Sequence, residues 1–481
     1  MKKLIVIVFI IFGAFLTLCL YKTFAYDTSV VEEVPSTTDL EYTFKIGNSS
    51  IKQITVDSGE TRYYDIVLGN PNNAKISYSV YYEMVSPSTK PDGYKIEYTS
   101  KSTGNSTGIV NNNGNITLNI VVTNTSSSSV TVKVGTVAGY VKGGELTLNS
   151  GQEVIPKRLT AAEYVMTLND NTSGDEGSGV YKIEHSAIPA SNSATGSEIP
   201  AVTDYRYYGP NPYNYICLDM EGGSTCPDKH LYRIIGSIYE EKENTNRIKL
   251  IKATPLTDGT TSAFSWDYTS SGSYSNIWAT ITSGNYSNSL TSGSTLMQLL
   301  NSGAWWNGTS GSYYNQSNTA TTVNFTNYKL SDKAKSYITT SRYYLGGFNN
   351  TPPLTNEMYG YERGILRYDT NRPLYWEGMV GLMYPSDYGY AAGNSCVNGT
   401  KLYDYNGYGN KDWLYISDIY QSLMSPYSGH FCSLFSVGYA GRVVIDNDVF
   451  EDLAVSPVFY LTSTTSIIDG DGSLNNPYLL K

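Results

Sequence analysis

Residues 52–68 read Lys52-Gln53-Ile54-Thr55-Val56-Asp57-Ser58-Gly59-Glu60-Thr61-Arg62-Tyr63-Tyr64-Asp65-Ile66-Val67-Leu68. Two runs rich in β-branched and aromatic residues alternate in character, as strands with one buried face do, and Asp57-Ser58-Gly59 between them is a turn signal. Working outward, the same pattern predicts strands at Tyr42–Ile46, Lys52–Val56, Arg62–Leu68, Lys75–Tyr82, Tyr94–Tyr98, Ile116–Val122 and Val130–Val141. Turn formers such as Gly69-Asn70-Pro71 separate them. Seven short strands in roughly 120 residues predict an antiparallel, Ig-like β-sandwich over 39–157.

The segment Ile54 to Thr61, followed by Asp65-Ile66-Val67-Leu68-Gly69-Asn70 and a Tyr-rich strand, resembles the camelysin and biofilm-fibre (TasA-type) sandwich domains of Gram-positive bacteria. The resemblance covers about a quarter of the chain and implies the fold. Camelysin-type proteins have been described as proteases, but no His-Glu-x-x-His is present here to hold a zinc ion.

Composition agrees with a β-rich chain. Its 481 residues include 45 Tyr, 12 Phe, 6 Trp and 44 Gly, and only 16% are charged, a balance that favours strands and turns over helices. The length suits two or three modules at a prior of ~150 residues each. A net charge of −10 with no basic cluster argues against nucleic acid, an anionic membrane surface or a polyphosphate as partner.

The first residues, Met1-Lys2-Lys3, precede an apolar run from Leu4 to Leu20 and then Thr23-Phe24-Ala25, a small-residue cleavage site. Residues 1–25 therefore read as a secretory signal peptide, with an uncleaved membrane anchor as the alternative, and 26–38 as a polar stalk. The expected location is extracellular or on the surface of a Gram-positive bacterium. Four cysteines follow the leader, and an even number in an exported chain suggests disulfides. Of the three possible pairings, proximity favours Cys217–Cys226 with Cys396–Cys432.

Residues 158–202 read as a connector: a short helix at Leu159–Leu168, polar sequence, a strand at Val180–Glu184 and a second polar stretch. From 203 to 481 the chain is a single Tyr/Trp-rich unit with helix candidates at Ser294–Asn301 and Ser331–Thr339. Its blocks are Asp204-Tyr205-Arg206-Tyr207-Tyr208-Gly209-Pro210, then Leu231-Tyr232-Arg233-Ile234-Ile235-Gly236, Gly381-Leu382-Met383-Tyr384-Pro385-Ser386-Asp387-Tyr388-Gly389-Tyr390, and Val455-Ser456-Pro457-Val458-Phe459-Tyr460. In that order they resemble an uncharacterised domain family of exported proteins in Gram-positive gut bacteria. Tyr232 and Ser456 stand where that family usually has Trp and Arg. The resemblance implies the broad C-type-lectin-like group, which includes formylglycine-generating enzymes. The expected fold class is mainly β with some α, an antiparallel sandwich followed by an α+β lectin-like domain.

Catalytic constellations are sparse. A Ser-His-Asp or Cys-His set needs a histidine beside its nucleophile, and only His185, His230 and His430 exist. His185 and His230 read as surface residues, and His430, before Phe431-Cys432, as structural. Copper chemistry of the formylglycine-generating type needs a pair of thiols, which the expected disulfides would consume. Glu377, Asp387, Asp404 and Asp412 are available for glycosidic cleavage, but no spacing marks two of them as a facing pair. Asp469-Gly470-Asp471-Gly472-Ser473 looks like the start of a calcium loop, but Leu480 stands where an EF-hand needs a bidentate Glu. No metal or cofactor is expected, and calcium has no motif behind it.

Aromatic density is what remains. Tyr or Trp faces can stack on sugar rings while neighbouring Asp and Asn bond the hydroxyls. Trp305 and Trp306 are singled out because adjacent strand residues point to opposite sides, leaving one hard to bury. Asp387, Tyr388 and Tyr390 invite the same reading. The expected function is non-catalytic adhesion or ligand binding to a surface glycan or protein. A structural matrix component that self-assembles through the sandwich is the alternative, and a glycan-acting hydrolase the third.

Overall fold

The computed structural model describes residues 43–46 and 53–481, apart from 100, 142–144, 170–173, 175, 176, 283, 284, 287–292, 371 and 407–410. The expected leader (1–25) and stalk (26–38) lie outside the described residues. No described helix is long and apolar enough to cross a membrane. The chain is mainly β, with 38% strand and 13% helix arranged around several antiparallel sheets, and it divides after Arg158 into two compact units.

In the first unit every anticipated strand forms. Thr43–Ile46, Glu60–Gly69, Asn115–Asn124 and Tyr94–Tyr98 make one four-stranded antiparallel sheet, in that spatial order. Gln53–Val56, Val130–Tyr140 and Ile76–Ser86 make a second sheet. Two further strands border Ile76–Ser86: Thr107–Val110 and Gln152–Val154. Both escape sequence reading because they are short and sit among Asn, Gly and Ser.

The period-2 signal has its physical cause in burial. Along Gln53–Val56, Ile54 and Val56 point inward while Gln53 and Thr55 face water. Ile66, Leu68, Leu118 and Val122 from the first sheet meet Val80, Val132 and Val134 from the second in one core. Asn124, fully buried beside that core, satisfies its amide by donating to Val56 O and Ser128 O, each at 2.8 Å.

The second unit begins at Leu159, within the stretch read above as a connector, which is a correction: the described elements of that stretch belong to it. Thr160 caps the helix Ala161–Thr167, accepting from Glu163 N while the Glu163 carboxylate accepts from Thr160 N. Ala161, Ala162 and Val165 on that helix join the core of the unit. The strand Gly179–His185 pairs along its whole length with Val202–Tyr208. Polar composition between these elements conceals how few apolar side chains are needed to dock them.

Val202–Tyr208 leads into a nine-stranded, mostly antiparallel sheet centred on Leu231–Glu240 and Thr245–Lys252. One parallel pair, Tyr215–Cys217 with Tyr478–Leu480, ties the end of the chain into this sheet. Around the sheet lie short helices. Ser294 caps Thr295–Asn301, as the helix candidate there suggests, but the second candidate is shorter, Asp332–Ser336 followed by a two-residue strand, Ile338–Thr339. Thr355–Glu362, Pro385–Ala391 and Asn394–Gly399 pack together. Gly389 permits this, since a Cβ there would lie 2.2 Å from Thr355 Oγ1.

Candidate functional site

The residues singled out from sequence do not share one surface. Trp305 and Trp306 lie on the short helix Ala304–Asn307, so the strand argument does not apply to them. Trp305 is buried in the core; Trp306 is half-buried against it, with Lys335 Nζ 5.2 Å from its ring centroid. Asp387, Tyr388 and Tyr390 stand on Pro385–Ala391, a helix whose residues are all buried. Tyr388 donates its hydroxyl to Gly441 O at 2.6 Å and presents no face to water.

Asp387 belongs to an interior ionic network. Its Oδ1 accepts from the Arg206 guanidinium at 2.7 Å, and its Oδ2 from Lys249 Nζ at 2.5 Å and Tyr384 N at 2.9 Å. Arg206 reaches back to Asp204 Oδ2 at 2.8 Å, and that oxygen also meets His185 Nε2 at 2.9 Å. Asp204 and Arg206, alternate residues of one strand, point to the same side of the sheet. Burial opposes charge on Asp387, but Lys249 and Arg206 outweigh it and hold the carboxyl below its ordinary range. For His185 burial prevails over Asp204 and pushes the imidazole pKa down, so the ring is neutral at neutral pH.

His185, at one end of this network, also lines a cavity of about 400 Å³. Its walls come from Gly179–His185 and the residues just after it, and from the three packed helices. Ile183, Tyr359, Tyr390 and Val397 form a small apolar cluster at its base. Asn356, Asn394 and Asn398 bring side-chain amides to its lining, and Lys182 and Glu184, paired at 2.5 Å, bring opposite charges.

Both faces of Tyr359 are taken. His185 stacks on one, with centroids 3.7 Å apart and planes at 6°, and the Arg363 guanidinium sits 3.5 Å from the same centroid, which leaves it only the opposite face. Arg206 lies 4.8 Å over Tyr390, whose buried hydroxyl has no hydrogen-bond partner among the described residues. The cavity thus offers ring edges, aliphatic contacts and amides, and no open aromatic platform.

His185 is therefore neither exposed nor part of a linker, and His230 is likewise buried, its Nε2 3.1 Å from Glu221 Oε1. The Cys217–Cys226 disulfide forms as expected. The second expected bridge does not: Cys396 and Cys432 both stand as buried thiols. Cys432 Sγ lies 3.0 Å from His430 Nδ1 and 3.1 Å from Asp448 Oδ1. Burial and the Asp448 carboxylate push that thiol up to about 11, the opposite of what a nucleophile needs. Glu377 is bound to Arg342 at 2.8 Å and Asp387 to its two cations, so both are held in ion pairs.

Among the described residues no group of three or more His, Cys, Asp or Glu side chains is placed to hold a metal ion. In the 469–473 segment, Asp471 Oδ1 accepts from Ser473 N at 2.8 Å and Gly470 and Gly472 adopt positive φ, the geometry of a tight turn. His185 was read as a surface residue, and the cavity residues Tyr359, Asn394 and Val397 escaped sequence reading. They come from separate segments, and the only local signal was Asp204-x-Arg206 on a strand. Comparison with protein-family models, with curated proteins and with solved structures returns no match.

Proposed function

We propose that this chain is a non-catalytic, exported surface protein, an Ig-like sandwich of TasA type followed by a lectin-like unit that binds glycan in the cavity beside His185. The single observation behind this reading is the lining of that cavity. Amides of Asn356, Asn394 and Asn398 share a mainly polar lining with a small apolar cluster, a surface suited to a polar ligand that carries some apolar groups. Sugars need such paired donors and acceptors, and an asparagine amide supplies both.

A catalytic reading lacks support in the same place. His185 is held by Asp204 and Tyr359, and the Asp204 and Asp387 carboxylates are neutralised by Arg206 and Lys249. The test is binding of the full chain to an array of bacterial-wall and host glycans, repeated with Gly360→Leu. Gly360 lines the cavity, and a Cβ there meets nothing within 4 Å, so a larger side chain occupies the cavity without strain. Saturable binding that this variant removes supports the reading; absence of binding to every glycan, or binding that Gly360→Leu leaves intact, overturns it.

A further inference from the structure

Resting on that glycan reading, we propose that the cavity selects an N-acetylated hexosamine through its acetamido group, with Val397 and Ile183 receiving the methyl and the Asn394–Asn398 pair reading the amide.

Three observations lead there. The first is charge: Lys182 and Glu184 cancel one another at 2.5 Å, and the Asp204 carboxylate beside His185 is paired with Arg206. A uronic acid, sialic acid or phosphate finds no unspent cation in the lining, so the ligand is neutral.

The second is the absence of a stacking platform. A plain hexose is gripped by laying its C–H face on an aromatic ring, but both faces of Tyr359 are covered by His185 and Arg363, and Arg206 covers Tyr390. What remains apolar is aliphatic, Ile183 and Val397 beside the tyrosine edges with Ala187 and Ile188 in the same lining, side chains that suit a methyl group rather than a sugar face.

The third is hydrogen-bonding capacity. Asn398 Nδ2 donates to Asn394 Oδ1 at 2.9 Å, which leaves Asn394 Nδ2 as a donor and Asn398 Oδ1 as an acceptor outside that bond. One donor beside one acceptor is the complement of a secondary amide. Tyr390, more than nine-tenths buried in the lining and without a hydrogen-bond partner for its hydroxyl among the described residues, adds a further polar group at the base. A cavity of about 400 Å³ lies at the small end of ligand sites and has room for a short saccharide.

The experiment is calorimetric titration of the full chain with N,N′-diacetylchitobiose, N-acetylgalactosamine, cellobiose and galactose. The linked pair N,N′-diacetylchitobiose and cellobiose differ only in having acetamido or hydroxyl groups at position 2. Expected are binding of at least one acetylated sugar about ten-fold or more tighter than its unacetylated counterpart, and loss of most of that preference in Val397→Thr, which keeps the side-chain shape and makes the base polar. If unacetylated sugars bind as tightly and Gly360→Leu removes the binding, the glycan reading stands and the acetamide assignment falls. If Val397→Thr leaves the preference unchanged in a folded protein, the assignment to this patch falls. If no saccharide binds, both fall.

Discussion

His185 lies flat on Tyr359, ring centroids 3.7 Å apart and planes within 6° of parallel, while its Nε2 meets Asp204 Oδ2 at 2.9 Å. A neutral imidazole suits this setting, and burial is the dominant cause of its lowered pKa, with Asp204 pulling the other way. The sign of the consequence follows by linkage. The unfolded chain, with a histidine pKa near ~6.5, takes up the proton before the folded one. Stability from this residue is therefore fully present above that value and is lost as pH falls below it. Thermal melts should show the midpoint dropping as pH goes from 7.5 to 5.5, with a shallower drop in His185→Phe, which keeps the stack and removes the titration. An equally steep drop in the variant would assign the acid sensitivity to other groups.

Asp387 sits between Arg206 and Lys249, all three out of contact with water. Asp387→Asn leaves the Lys249 ammonium buried without a counter-charge, and breaking one side of a buried pair costs about 3–5 kcal/mol. Denaturant titration should show that loss. Adding Lys249→Met should restore part of it, because the stranded charge is gone and an apolar chain of similar length takes its place. A double variant no more stable than Asp387→Asn alone would mean that the ammonium was not the source of the loss.

These two sites mark how far sequence reasoning reached. The longer strands of the first unit were legible because they bury one face, so that Ile54, Val56, Ile66 and Leu68 alternate visibly with polar neighbours. Asp387 and Tyr390 were noticed, yet as exposed groups, whereas Asp387 is held in the interior network and Tyr390 lines the cavity with a buried ring. A Tyr- and Gly-rich block reads as surface, and only tertiary packing against Arg206, Lys249 and Thr355 turns it inward. The cavity itself was not legible, since its lining joins residues near 185, 359, 390 and 397 that no local period connects.

The cysteines divide into one bridge and two thiols. Peptide mapping after alkylation without reduction should recover Cys217 and Cys226 linked, and Cys396 and Cys432 each carrying the alkyl group once the chain is denatured. A Cys396–Cys432 linked peptide would contradict the structure. The bridge closes a loop of only nine residues, so Cys217→Ser with Cys226→Ser should cost ~2–3 kcal/mol by chain entropy. That loss should appear as a lower denaturation midpoint with the cavity unaffected.

Trp305 and Trp306 are neighbours in sequence and unequal in structure. Trp305 is nearly inaccessible, at 1% exposure, and packs among Leu296, Leu300 and other core residues; Trp306 rests on the core's outer side under Lys335. Emptying a core site of that size costs about 3–5 kcal/mol. Truncating a half-buried ring that keeps one cationic neighbour costs far less, on the order of 1 kcal/mol. Urea titration should therefore separate Trp305→Ala from Trp306→Ala by several-fold in stability loss. Neither ring lines the cavity beside His185, so under conditions where both variants are folded each should bind glycan as the parent chain does. Loss of binding in folded Trp306→Ala, with Gly360→Leu binding normally, would move the ligand site from that cavity to the half-buried tryptophan.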